Sequence, residues 1–204
     1  MLGFTSLCEA KTIRDIFANE PNDIFMILPS RYRLDMLDYF DAGKIVTTKT
    51  DLTSKENGAK LNDVNQNFIS VALTTKNDVD LQLITSAKDS IIVVVNTAKL
   101  PARDSQISFY NTDWKKLNTK SYFNEPTLAD FIMKSATKEE RKVIFEKIKF
   151  PIIYYKLSPS EPGKMTAILE VERFLNKEDW ELIKKNINTS INYTYSGKYK
   201  KTKE

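Results

Sequence analysis

The chain has 204 residues, 31 Lys and Arg against 27 Asp and Glu, a formal charge of +4, one cysteine and no histidine. The missing imidazoles exclude Ser-His-Asp and Cys-His catalytic sets and His/Cys zinc sites. A composition 41% apolar and 28% charged, with no apolar run near the ~20 residues of a membrane span, describes a globular chain long enough to bury a core.

Residues 1–10 read as the remnant of a signal peptide. Leu2, Gly3, Phe4 and Leu7 are weakly apolar, and Cys8-Glu9-Ala10 sets small residues at −3 and −1 of a cut before Lys11. The competing reading is a short N-terminus that frays in solvent. Cleavage leaves a mature chain without cysteine, which suits a bacterial periplasm or cell surface. Residues 11–197 are then one α+β domain, and 198–204, with Lys198, Lys200, Lys201 and Lys203 against Glu204, a basic disordered tail.

Thr12 and Asp15 form a capping box ahead of Ile13, Ile16 and Phe17, and Pro21 stops that helix. After the apolar stretch 24–28, Ser30 is the expected N-cap of a helix ending at Gly43, with Leu34, Leu37 and Phe40 inward. A short strand is expected near Ile45-Val46 and a polar loop over 49–66. Then Ile69, Val71 and Leu73 alternate with polar or small residues, as do Val79, Leu81 and Leu83 after the turn at 76–78. The run 91–95 is apolar on both faces and predicts a central covered strand. Ile107 and Phe109 begin a fourth, and the short links favour an antiparallel meander.

Residues 112–126 are irregular and carry Trp114, Tyr122 and Phe123. Two more capping boxes, Thr127/Asp130 and Thr137/Glu140, start helices. Ile152–Tyr155 pairs with 165–171 in a hairpin, a helix follows near 177–187, and Ile191, Tyr193 and Tyr195 alternate as in an edge strand. Strands run together instead of alternating with helices. The class is α+β: a mostly antiparallel twisted sheet, meander plus hairpin, with helices packed on it. A helix–helix–sheet order recurs around 12–110 and 127–195, without a self-match in residue identities.

With five glycines and neither GxGxxG nor a Walker loop, no nucleotide motif is present. Asp35, Asp38 and Asp41 step by three along one helix. They suit a hard cation or paired acid–base groups, or a solvated face with Arg31 bridging to Asp35; EF-hand spacing is missing. Ser135 and Lys138 match SxxK, but the SDN and KTG companions are missing and Thr137 serves better as a cap. Asp104, Ser105, Phe109, Tyr110 and Trp114 gather at the end of the meander, as a ligand groove or as a plug for the sheet end.

Arg33-Leu34-Asp35-Met36-Leu37-Asp38-Tyr39, Asp104-Ser105 with Phe109-Tyr110-Asn111 and Trp114, and Pro126 with Asp130-Phe131 resemble a Bacteroidales family of exported proteins, domain of unknown function 3256. The resemblance covers most of the chain after Lys11. It implies export in a Gram-negative bacterium, supplies no activity, and leaves Arg33, Asp35, Asp38 and Asp104 as polar positions that fix the fold.

The sequence thus favours a periplasmic or cell-surface binding or assembly module. Its candidate polar and aromatic site is Asp35, Asp38, Asp104, Tyr110 and Trp114, with no catalytic residue assigned and no cofactor or metal expected. The expected partner is an envelope protein, a glycan or a small ligand, with exposed sheet edges available to a partner strand; nucleic acid is disfavoured. The alternative is a carboxylate-dependent hydrolase acting on carbohydrate through Asp35, Asp38 and Asp104.

Overall fold

Strict alternation of apolar side chains builds the centre of the molecule. The computed structural model describes residues 11–44, 58–86 and 89–202. In it β1 (Lys60–Val64), β2 (Phe68–Thr74), β3 (Asn77–Thr85), β4 (Ser90–Ala98) and β5 (Asp104–Asn111) form an antiparallel sheet in chain order. Val93 stands opposite Gln82 and Phe109, and Val94 opposite Leu81 and Ser108. One face therefore carries Phe68, Val93, Val95, Ile107 and Phe109, and the other Ile69, Val71, Leu81, Ile92 and Val94. Period-two patterning on both faces requires a cover on each.

The first cover is helical. α1 (Ile13–Ala18) and α2 (Ser30–Asp41) bring Ile13, Ile16, Phe17, Met36 and Leu37 onto the second face. The other cover is a second antiparallel sheet, β6 (Ile153–Leu157), β7 (Lys164–Leu169), β8 (Ser190–Tyr195) and β9 (Tyr199–Lys201), in the order β6-β7-β8-β9. Its inner residues Tyr155, Leu157, Met165, Ala167 and Tyr193 meet Val93 and Phe109 in one core. The short helices α3 (Thr119–Tyr122) and α4 (Leu128–Phe131), with α5 (Lys138–Lys147) and α6 (Lys177–Ile183), complete that half. All three predicted capping boxes are formed, at Thr12, Thr127 and Thr137.

Polar ties hold the sheets in register. Gln82, fully buried, donates from Nε2 to Ser158 O (2.8 Å) and accepts at Oε1 from Gly163 N–H (2.9 Å). Satisfying both ends of a buried amide removes the penalty of hiding it. Gly163 has φ 83°, and a Cβ there would stand 3.1 Å from the Tyr195 Cβ, so the turn requires glycine. Ser105 Oγ accepts from Tyr155 N–H at 3.1 Å, tying β5 to the outward side of β6.

Several expectations change. The predicted meander and hairpin do not share one sheet; the hairpin joins β8 and β9 in its own. β1 occupies part of the expected loop 49–66; its sequence is polar because only Leu61, Asp63 and Val64 are partly buried at the sheet's edge. β8 is not an edge strand, because β9 pairs with it. Residues 199–201 of the expected disordered tail form β9, anchored by Tyr199, which is 3% exposed. Burying that ring overrides the local lysine run. On α2 the inward residues are Arg33, Met36 and Leu37, whereas Leu34 is half exposed. Pro29, not Ser30, is the α2 N-cap residue; the Ser30 hydroxyl instead donates to Ala18 O at 2.7 Å. Arg31 lies over the Tyr32 ring, 4.6 Å from its centroid, and among the described residues forms no ion pair with Asp35. The Cys8–Ala10 cut, the strand near Ile45-Val46, and Lys203 and Glu204 lie outside the described residues. Among the described residues, no helix is long and apolar enough to cross a membrane.

Candidate functional site

The link from α1 to α2 is irregular, so its amides need partners other than a helix or sheet. Glu20 supplies them. Its side chain turns inward and accepts from the backbone N–H groups of Asn22 (2.9 Å), Asp23 (2.8 Å) and Ile24 (2.8 Å). Arg33 of α2 enters beside it, both side chains fully buried, with Nη1 3.5 Å from the carboxylate. The guanidinium donates to Asn22 Oδ1 (2.9 Å), Leu28 O (2.8 Å) and Ala18 O (3.2 Å). Phe17 and Phe25, edge to face at 5.1 Å, close over it. Asn22 adopts φ 69°, which asparagine tolerates better than most residues. Burial lowers the Arg33 pKa, and the Glu20 charge opposes that shift. This knot fixes how Asn19, Glu20 and Pro21 leave α1.

Opposite them, the chain leaves β5 in a turn. Asn111 Oδ1 accepts from Asp113 N–H (3.0 Å) and Lys115 N–H (2.9 Å). Trp114 sits in this turn at φ 61°. For a bulky residue that conformation costs on the order of 1–3 kcal/mol and persists only where surroundings enforce it. Here they do: indole Nε1–H donates to Ile16 O of α1 at 3.1 Å, and the ring meets Tyr110 at 5.4 Å and 62°. Lys11 closes the same edge, donating to Asp113 (2.6 Å) and Thr112 O (3.0 Å).

Between α1 and this turn lies a hollow of about 420 Å³, lined among others by Lys11, Asp15, Asn19, Pro21, Asp113 and Trp114. Hydrogen bonds from Thr12 lower the Asp15 pKa, and the bond from Lys11 lowers that of Asp113. Both are therefore anions at neutral pH. An aromatic wall with a charged rim can seat a small group; it contains no assembled nucleophile or acid–base pair.

Of the five residues expected at the site, the structure brings together Tyr110 and Trp114. Asp35 and Asp38 are exposed on α2, away from the inward face. Asp104 is exposed opposite Ala98, at the other end of β5 from Tyr110. Six residues of strand separate Asp104 from Tyr110, about 20 Å at the usual rise, so the gathering expected at one end of the meander does not occur. Phe109 faces the inter-sheet core and Tyr110 the helix side. At the SxxK match, Thr137 accepts from Glu140 N–H as the cap of α5. Among the described residues no group of three or more Asp, Glu or Cys side chains is placed to hold a metal ion. Sequence reasoning missed Glu20 as a turn organiser and Lys11, Asp15 and Asn19 as groove residues. The available signal was Arg33 standing three and four residues before the apolar Met36 and Leu37.

A family described as Protein of unknown function (DUF3256) matches residues 5–199. The chain belongs to that family. Two chains of solved structures match. One is a domain of an uncharacterized protein from Porphyromonas gingivalis W83, a member of the Bacteroidales, with a TM-score of 0.78 and 22% identity over 94% of this chain and 98% of that one. At that identity the likeness shows a shared fold. No curated protein matches the chain. The DUF3256 match runs through both the Glu20–Arg33 knot and the Trp114 turn.

Proposed function

We propose that this member of the DUF3256 family is a binding or assembly module of the envelope of a Gram-negative bacterium, exported to the periplasm or cell surface, and that its contact site is the Trp114 groove. The observation that carries the reading is Trp114 itself. A tryptophan held in a left-handed backbone conformation, its N–H spent on α1, presents a rigid aromatic surface at an open hollow. Residues that only fill a sheet end do not need that strain. The Cys8-Glu9-Ala10 pattern is what supports the cellular address. Asp35, Asp38 and Asp104 do not support the hydrolytic alternative, because each is exposed and Asp104 stands on a different element from the other two.

The test is affinity capture from envelope extracts with the wild-type chain and with Trp114→Ala, both checked for folding by circular dichroism. A partner retained by the wild type and lost by the variant is the expected result. Equal recovery by both would remove the groove from the reading. Mass measurement of the chain recovered from its native envelope, with Lys11 as the first residue, tests export separately.

A further inference from the structure

We propose, on the reading that the Trp114 groove is the contact site, that its occupant is an arginine side chain presented by a partner protein. The donors of the rim are partly committed. Lys11 is bound to Asp113 and Thr112 O, Asn19 Nδ2 donates to Asp15 O, and Trp114 Nε1 donates to Ile16 O. Among the described residues no bond uses the acceptors Asp15 Oδ1, Asn19 Oδ1 or Asp113 Oδ2, two of which are carboxylate oxygens. Two carboxylates against one ammonium leave the hollow with a net charge of one negative unit.

A complementary group is therefore cationic, rich in donors and flat enough to lie along an indole. A guanidinium meets all three conditions: five N–H donors, no acceptor, weak hydration, and a plane that stacks on aromatic rings. A lysine ammonium has the charge without the plane. A neutral sugar gains nothing from the negative charge of the rim. An acidic peptide is repelled by the same rim.

The experiment uses the full chain carrying Trp180→Phe, which leaves Trp114 as the sole tryptophan of the two. The probe is the end-blocked tripeptide Gly-Arg-Gly, titrated by indole fluorescence at low ionic strength. Saturation in the millimolar range, weakening about tenfold in Asp113→Asn and further with added salt, is expected. The citrulline version, which keeps the shape and loses the charge, should not saturate. Asp113→Asn leaves Trp114 and its partner Ile16 unsubstituted, and an unchanged emission spectrum and circular dichroism of the free variant, recorded before titration, separate weakening from a folding defect. Absence of saturation, equal response to citrulline, or saturation by a neutral disaccharide or an Asp-containing tripeptide instead would each overturn the arginine assignment. If capture still depends on Trp114 while Gly-Arg-Gly fails, the ligand class is wrong and the site stands. If capture ignores Trp114, the site reading itself fails.

Discussion

The two faces of the five-stranded sheet are stabilised by different physics. On the helix side the buried strand residues are aliphatic, and the covering segment, which brings Phe17 and Phe25, is pinned by a buried ion pair, Glu20 with Arg33. On the other side the cover is a second sheet, and the contact is a cluster of rings. Phe123 meets Tyr155 at 5.4 Å and Tyr193 at 5.2 Å, edge to face, while Phe109 stacks on Tyr122 at 5.3 Å. Short helices with an irregular link cannot satisfy their own amides, so charge and carboxylate acceptors are brought in. Two sheets satisfy most of theirs by pairing, and beyond the Gln82 and Ser105 ties they meet by filling space. The groove proposed for binding lies on the charge-pinned side, where precise polar geometry is already enforced.

The strongest way to break this contrast is to remove its two anchors. Glu20→Ala strips acceptors from the link and leaves Arg33 buried without a counter-charge, a loss of about 3–5 kcal/mol. Phe123→Ala leaves a cavity among the rings and costs about 3–5 kcal/mol as well. Denaturant unfolding checks both. Only Glu20→Ala should also disturb Trp114 fluorescence in the Trp180→Phe background, because only the knot positions α1 against the indole. A Phe123→Ala variant with an equal spectral change would erase the distinction.

Asp80 sharpens the contrast next, because it is a charge on the face otherwise filled by rings. Burial raises its pKa to about 6, partly opposed by the Ser70 hydroxyl and assisted by the Asp78 and Asp63 charges. A carboxyl whose folded pKa exceeds its unfolded value, 3.8, costs stability once both states would otherwise ionise. Below pH ~4 the penalty is absent; it grows between ~4 and ~6 and is complete above. Asp80→Asn should therefore stabilise the protein by up to about 3 kcal/mol at pH 7.5 and give no gain at pH 3.5. Thermal melts of both proteins across that range decide it. A gain independent of pH would assign the effect to packing instead.

Smaller effects are expected from the buried hydroxyls of Tyr193 and Tyr199, which have no hydrogen-bond partner among the described residues. Burial pushes the Tyr193 pKa up to about 12. Tyr199→Phe removes a desolvated polar group and should be neutral or stabilising by about 1 kcal/mol. A destabilisation of that size would show that the hydroxyl is engaged. Last, the double variant Asp35→Asn, Asp38→Asn should change the unfolding free energy by no more than about 0.5 kcal/mol, as exposed positions do, and leave capture through Trp114 intact.

Much of the scaffold was legible in the amino-acid order. Capping boxes at Thr12, Thr127 and Thr137, the alternation across β2 and β3 and the continuous apolar run of β4 are signals that act within a few residues, so reading them needs no partner. About half of the candidate site was legible too: Tyr110 and Trp114 stand four residues apart and meet across one turn. The acidic candidates were misplaced because a strand carries residues apart as quickly as it links them, as Asp104 and Tyr110 show.

Periodicity and caps alone established the α+β class, the covered interior position of β4 and the starts of α1, α4 and α5. Tertiary structure alone decided that Arg33 goes inward, that Tyr199 turns a lysine-rich end into β9, and that Trp114 meets Ile16, 98 residues earlier in the chain. Each of those outcomes depends on a group distant in sequence that supplies acceptors, a counter-charge or an apolar surface, and burial is favourable only once that group has arrived.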